Sequence, residues 1–249
     1  MIRGPQALGF YQSNPVELRR TLASLFSKVQ SELKYEGGIV PHAGYVFSGM
    51  AAAALYGSLK KSNTIIILGN DHYGNVSHPS AHSYEQWETP LGKVNVDQDL
   101  ADQLDLDCAE SYKEHSIEVQ LPFLQYLWGD FTFLPITIPK TPLNQLKELG
   151  NKLRRLNLPI VATTDFSHYV SRATADRLDG LAIDKIIARK PEELMDVVKT
   201  NKISMCGLFP TLTLMYALQD KEPELLMYYT SGDVTGDEPV VGYASIGFK

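Results

Sequence analysis

The chain has 249 residues, 44% apolar and 21% charged, with 29 acids against 23 bases for a net charge of −6 with neutral histidines. That is enough chain to bury one large core without disulfides or structural zinc, and one domain over residues 1–249 is the expectation. The acidic balance excludes a general nucleic-acid coat, which needs a basic surface, and the apolar runs 50–55 and 65–68 fall far short of the roughly 20 residues that span a bilayer.

In chain order, a helix is expected from Asn14-Pro15, with proline in its first turn, then a strand at 38–40. A helix follows, with Ser48 as N-cap of the apolar run 50–56. The strand at 64–69 is the clearest, because Ile65, Ile66, Ile67 and Leu68 are all apolar, as in a strand covered on both faces. His78 and His82 fall in a polar stretch and read as surface residues. Residues 87–94 read as a turn between short extended pieces. The segment from Glu114 to Glu118 is expected to open an amphipathic helix through Leu121 and Leu124. Strands follow at 131–138, Ile160–Thr163 and Val240–Phe248. Helices begin near Pro142, Thr174 and Pro191, and another covers 211–218. Leu178, Leu181, Ala182 and Ile186 form a core-facing stripe. The alternation of short apolar and longer amphipathic runs predicts an α/β sheet. No internal repeat or linker interrupts it. The N-terminus has no apolar stretch of the signal-peptide kind. Two cysteines, Cys108 and Cys206, suit a reducing cytoplasm rather than a disulfide scaffold.

Three predicted strand ends carry chemistry. His42 follows the strand at 38–40, His72 the strand at 64–69, and Asp165 with His168 the strand at 160–163. In open α/β sheets ligands bind outside the carboxyl ends of strands, so all of these side chains point to one crevice. Each alone has a plainer reading: a loop or core histidine, or a helix-capping aspartate. Cys206 precedes a helical run, and a thiol at a helix N-terminus has a lowered pKa and a ligand's thiolate. The alternative there is a small buried apolar residue. Cys108 is incidental. His115 and Glu118 lie three apart, on one helical face, and read as ligands, as groups orienting a ligand, or as an acidic helix start. Residues 230–237 have acids and glycines without calcium-loop spacing and read as an exposed turn or a rim of the site. P-loop, dinucleotide, zincin and nucleophile-elbow motifs are missing. Trp87, Tyr45, Tyr73, Tyr169 and Tyr243 line the pocket or, more simply, pack.

These residues together resemble the Memo family, archaeal and bacterial relatives of an animal cell-motility mediator. The resemblance rests on Val40-Pro41-His42-Ala43-Gly44-Tyr45 with Ser48-Gly49, and on Leu68-Gly69 through His72. It continues through 87–92, 115–123, Asp165-Phe166-Ser167-His168-Tyr169, Cys206-Gly207 and Val241-Gly242-Tyr243-Ala244. The resemblance implies a central mixed sheet flanked by helices, as in class III extradiol dioxygenases. It implies metal ligation by His42, His72 and Cys206, the last standing where the dioxygenases have a carboxylate. It places Asp165 and His168 around the pocket, with His168 at an acid–base position. Two departures are the Gly69-Asn70-Asp71 run before His72 and Thr164 before Asp165, where the family commonly has Gly-Pro-Ser or Gly-Pro-Asn and a serine. Asp71 is then a carboxylate near the metal or a turn former. The resemblance implies copper or iron, and a thiolate in place of a carboxylate also suits zinc.

Three functional readings follow. The first is a copper- or iron-dependent redox protein or oxidoreductase. The second is a non-enzymatic module that binds a small molecule or peptide in a vestigial pocket. Association with radical-SAM and AMMECR-type proteins, implied by the resemblance, would give such a module a partner. The third is a metal-free cysteine hydrolase using Cys206, His168 and Asp165. No nucleic-acid or membrane partner is expected.

Overall fold

Ile65, Ile66, Ile67 and Leu68 are completely buried, because their strand lies inside a sheet covered on both faces. The computed structural model describes residues 1–30, 32, 34–110 and 113–249. Among these, the elements are β1 (Ile2–Arg3), α1 (Pro15–Phe26), β2 (Gly37–Val40), α2 (Tyr45–Tyr56), β3 (Thr64–Asn70), β4 (Ser80–His82), β5 (Gln86–Thr89) and β6 (Gly92–Val96). Next come α3 (Gln98–Gln103), β7 (Cys108–Ala109), α4 (Leu121–Trp128), β8 (Thr132–Ile138), α5 (Leu143–Arg154), β9 (Ile160–Thr163) and β10 (His168–Val170). The chain ends with α6 (Arg172–Ile187), α7 (Pro191–Asn201), α8 (Leu208–Ala217), β11 (Pro223–Thr230), α9 (Gly232–Thr235) and β12 (Val240–Phe248).

The mixed sheet runs β1-β5-β6-β8-β3-β9-β2-β12-β10, with β11 added on β12, and β4 bridging β8 and β7. Strands β6, β8, β3, β9 and β2 are mutually parallel. Alternate side chains of β3 face opposite sides. Ile66 and Leu68 pack with Leu134, Ile136 and Ala162 against Leu146, Leu178 and Leu212 of α5, α6 and α8. Ile65 and Ile67 pack with Phe133 and Val161 against Leu22, Leu55 and Leu124 of α1, α2 and α4.

Strands β9 and β12 match their expected bounds, and β2, β3 and β8 match within one residue. Several expectations are corrected. α2 starts at Tyr45, and Ser48 lies inside it, its amide already bonded to Gly44 O at 3.0 Å. Its hydroxyl instead donates back to Ala43 O at 2.9 Å. α6 starts at Arg172, because Ser171 accepts the Thr174 amide as its cap. The expected helix from Glu114 is absent: a 3-10 turn spans Glu118–Gln120 before α4. The Glu114 carboxylate holds the amides of His72 and Ser116, and this keeps the segment bent away from helix. His82 is fully buried rather than exposed. Pairing of β4 with β8 draws it onto the sheet, where its Nε2 meets Thr137 Oγ1 at 2.8 Å and its ring meets Trp87 edge-on. His78 is exposed, and both cysteines are free. Among the described residues no helix is long and apolar enough to cross a membrane.

Candidate metal centre

β3, β9 and β2 are neighbours and parallel, with Leu68 opposite Ala162 and Val40 opposite Thr163. Their carboxyl ends therefore open side by side, at the roughly 4.8 Å spacing of adjacent strands. The residues just beyond those ends are His72, Asp165 and His42, so the sheet itself gathers them. Cys206 enters from the other side, at the start of α8. It is held there by Gly207, whose amide donates to Thr164 Oγ1 at 2.9 Å. A Cβ at Gly207 would meet Thr163 O at 2.0 Å, so only glycine lets α8 begin so close to the strand end.

The ligand atoms of His42, His72 and Cys206 lie within 4.8 Å of one another. Cys206 Sγ stands 3.2 Å from His42 Nε2. His72 Nδ1 is 2.9 Å from Glu114 Oε1, and the His72 amide donates to Glu114 Oε2 at 2.9 Å. Glu114 thus fixes the ring and leaves Nε2 free, an arrangement that orients metal-binding histidines. Burial raises the Glu114 pKa, but its bonds to His72 and Ser116 outweigh this and hold it at about 2. His42 is buried, and burial together with the His115 and His72 rings keeps it neutral, far below the usual imidazole range. A neutral imidazole is the ligating form. Its Nδ1 has no hydrogen-bond partner among the described residues.

The Cys206 thiol corrects one expectation. Burial, and then the Asp165 charge, push its pKa up. The Asp165 amide, 3.2 Å from Sγ, and the Gly207 amide at the start of α8 pull the other way, but less. The thiol keeps its proton unless a cation displaces it. The Asp165 carboxylate accepts the His42 amide at 2.9 Å, and burial raises its pKa to about 6 against that bond. His168 Nδ1 faces two carbonyl oxygens, of Phe166 at 2.7 Å and Ser204 at 2.9 Å. A nitrogen between two acceptors carries the proton, which leaves His168 Nε2 as the basic atom.

His42, His72, Asp165 and His168 share a cavity of about 480 Å³, which Phe10, His115 and, from the 230–237 segment, Ser231 and Thr235 also line. His115 stacks between Phe10 and His72, at centroid distances of 4.4 and 4.5 Å. Burial lowers its pKa to about 4. Glu118 is not in this cavity. It is fully buried against Arg3 and accepts the Gln6 and Ala7 amides and the Tyr11 hydroxyl. Asp71 is spent on the amides of Tyr73, Asn75 and Val76, as a turn former is. Tyr169 and Tyr243 line the cavity, Tyr45 donates to Val119 O, and Trp87 lies under the Arg3 guanidinium. Sequence reading passed over Glu114, Phe10 and Phe47. Adjacency to His115 was the one available signal for Glu114.

The Memo-like protein family profile matches residues 3–247. The chain belongs to the Memo-like family. Among its relatives is MEMO1 family protein MK0963 of Methanopyrus kandleri, 36% identical across 100% of this chain and 99% of that protein. A MEMO1 family protein of Methanococcoides burtonii is 38% identical over 98% of this chain and 99% of its own length. One of Methanosarcina mazei is 39% identical over 92% and 91%. In this Memo-like chain, His42, His72 and Cys206 form a group able to hold a metal ion.

Proposed function

We propose that this Memo-like protein is a metal-dependent redox protein in which His42, His72 and Cys206 hold one copper or iron ion. The observation that carries the reading is the convergence of three ligand atoms within 4.8 Å from three distant chain segments. The donor set fits: two neutral imidazoles and a thiolate suit copper and are accepted by iron. His42 Nε2 already faces Cys206 Sγ at 3.2 Å, so the donor atoms of these two residues are adjacent.

A copper or iron ion bound there supplies one-electron redox chemistry. The protein's own groups do the rest. Glu114 holds the His72 ring in line through Nδ1. Asp165 anchors the His42 backbone, and its raised pKa lets it hold or release a proton near neutral pH. His168 presents Nε2 to the cavity as the base, with Nδ1 fixed by the Phe166 and Ser204 carbonyls. Cys206 meets His42 and the Asp165 backbone, and this does not fit a hydrolase in which His168 is the base for Cys206.

The test is optical. Protein loaded anaerobically with copper(I) or iron(II) and then oxidised should show a visible thiolate-to-metal absorption. Cys206→Ala should abolish the band, and His168→Ala should keep it. Zinc as the preferred ion, or no band in wild type, would sink the redox reading.

A further inference from the structure

His115 stands beside the donors with no role yet assigned. Donor atoms of His72, Glu114 and His115 lie within 4.8 Å of one another, which on distance alone would make His115 a ligand. Orientation decides otherwise. The lone pair of an imidazole nitrogen lies in the ring plane, so two imidazoles on one ion must both hold it near their planes. The His72 and His115 rings are stacked, 22° from parallel with centroids 4.5 Å apart. Planes so disposed meet well beyond the roughly 2.1 Å of a metal–nitrogen bond. His115 is therefore a wall against the face of His72, not a second donor beside it.

The wall is backed in turn. Phe10 stacks on His115 at 4.4 Å between centroids, 25° from parallel. The His42 ring stands edge-on to both imidazoles, 5.2 Å from His72 and 5.6 Å from His115. Stacked and edge-on rings at these distances attract beyond their area of contact. Phe10 is held through its backbone. Its amide donates to Ala7 O at 2.8 Å, and its carbonyl accepts the amide of Tyr45, the first residue of α2, at 2.8 Å. Glu118 ties the rest of the segment to the stretch that carries His115. The Arg3 and Tyr11 side chains and the Gln6 and Ala7 amides all donate to this one buried carboxylate.

We propose that Phe10 is a positioning residue of the metal centre, the tip of an N-terminal strap over residues 3–11 that acts on His72 through His115. The role rests on the metal centre proposed above, because His72 is one of its donors. Glu114 fixes one point of the His72 ring, at Nδ1, and a single bond leaves the ring free to rock about it. A stack on the ring face removes that freedom. The donor plane is then set during folding rather than when an ion arrives, which strengthens binding.

Two readouts test this on the full chain. The first is copper(I) affinity, by anaerobic competition with a chromogenic chelator. Phe10→Leu, which keeps apolar bulk but no ring, and His115→Ala should each weaken it about tenfold. Phe10→Tyr and His115→Phe keep the stack and should stay near wild type. The second is solvent exchange, by NMR of metal-free protein, of the ring N–H that His72 Nδ1 donates to Glu114. It should quicken about tenfold in Phe10→Leu and His115→Ala, and in neither stack-keeping variant. Unchanged affinity in Phe10→Leu overturns the proposal. So does His115→Phe losing as much affinity as His115→Ala, which would make His115 a ligand. If wild type takes up no metal, the metal centre fails and the exchange rates alone decide: a rate that follows the stack upholds the positioning role, and a rate indifferent to it overturns that role too. If wild type holds metal and Phe10→Leu holds it as tightly, the positioning role fails and the metal centre stands.

Discussion

Glu114 is a fully buried carboxylate whose bonds all serve the loop beside the donors: His72 Nδ1, the His72 amide and the Ser116 amide. Glu114→Gln keeps the volume but loses the charge that aligns His72. Metal affinity should fall about 10–100-fold, the cost of removing such an orienting group, in competition titrations with a chelator; unchanged affinity would show that His72 is aimed by something else. His82 supports a pH prediction away from the site. Burial, and then the Arg3 charge, hold its pKa at about 3, against about 6.5 in the unfolded chain. The unfolded chain takes up that proton first, so the stability present above pH 6.5 is lost as pH falls from there toward 3. The slope amounts to about 1.4 kcal/mol per pH unit. His82→Gln should flatten the acid limb of a urea-denaturation series between pH 4 and 6 by about one proton; an identical slope in wild type and variant would contradict the assignment.

At the scale of elements, the N-terminal strand is tied to the site loop by one buried cluster. Arg3 of β1 bonds Glu118 and the Glu114 carbonyl and lies over Trp87 at 4.0 Å. Removing one member of a buried pair leaves the other charge uncompensated. Glu118→Ala should therefore cost about 3–5 kcal/mol in equilibrium unfolding, whereas a loss under about 1 kcal/mol would mean a solvated pair. The same cluster shows where sequence reading stops. Strands β3, β8 and β9 were legible because apolar residues run unbroken where both faces are covered, and the site positions following β3 and β9 came with them. The short strands β1, β4 and β7, and the half-exposed β11, carry no such run and are made by pairing with distant segments. Glu118 attracted attention through helical spacing to His115. The local helix did not form, because Glu114 captures two amides first, and so the carboxylate one residue before His115 took the place by His72. Phe10 and Phe47 were illegible for a related reason. Nothing local says that a residue before α1 and one in the first turn of α2 face one cavity.

For the whole molecule, the sheet makes the pocket and the long-range contacts close it. His42, His72 and Cys206 are separated by up to 164 positions in sequence, yet Cys206 Sγ and His42 Nε2 stand 3.2 Å apart. A bound ion would join the ends of β2 and β3 to the start of α8, and would stabilise only the folded chain. The most direct test is elemental analysis of protein purified without chelator or affinity-tag histidines, beside His42→Ala and Cys206→Ala. One copper or iron ion per chain, lost in both variants, is the predicted result. A wild-type protein that holds no metal, and takes up none from copper(I) or iron(II) under anaerobic conditions, would contradict the account.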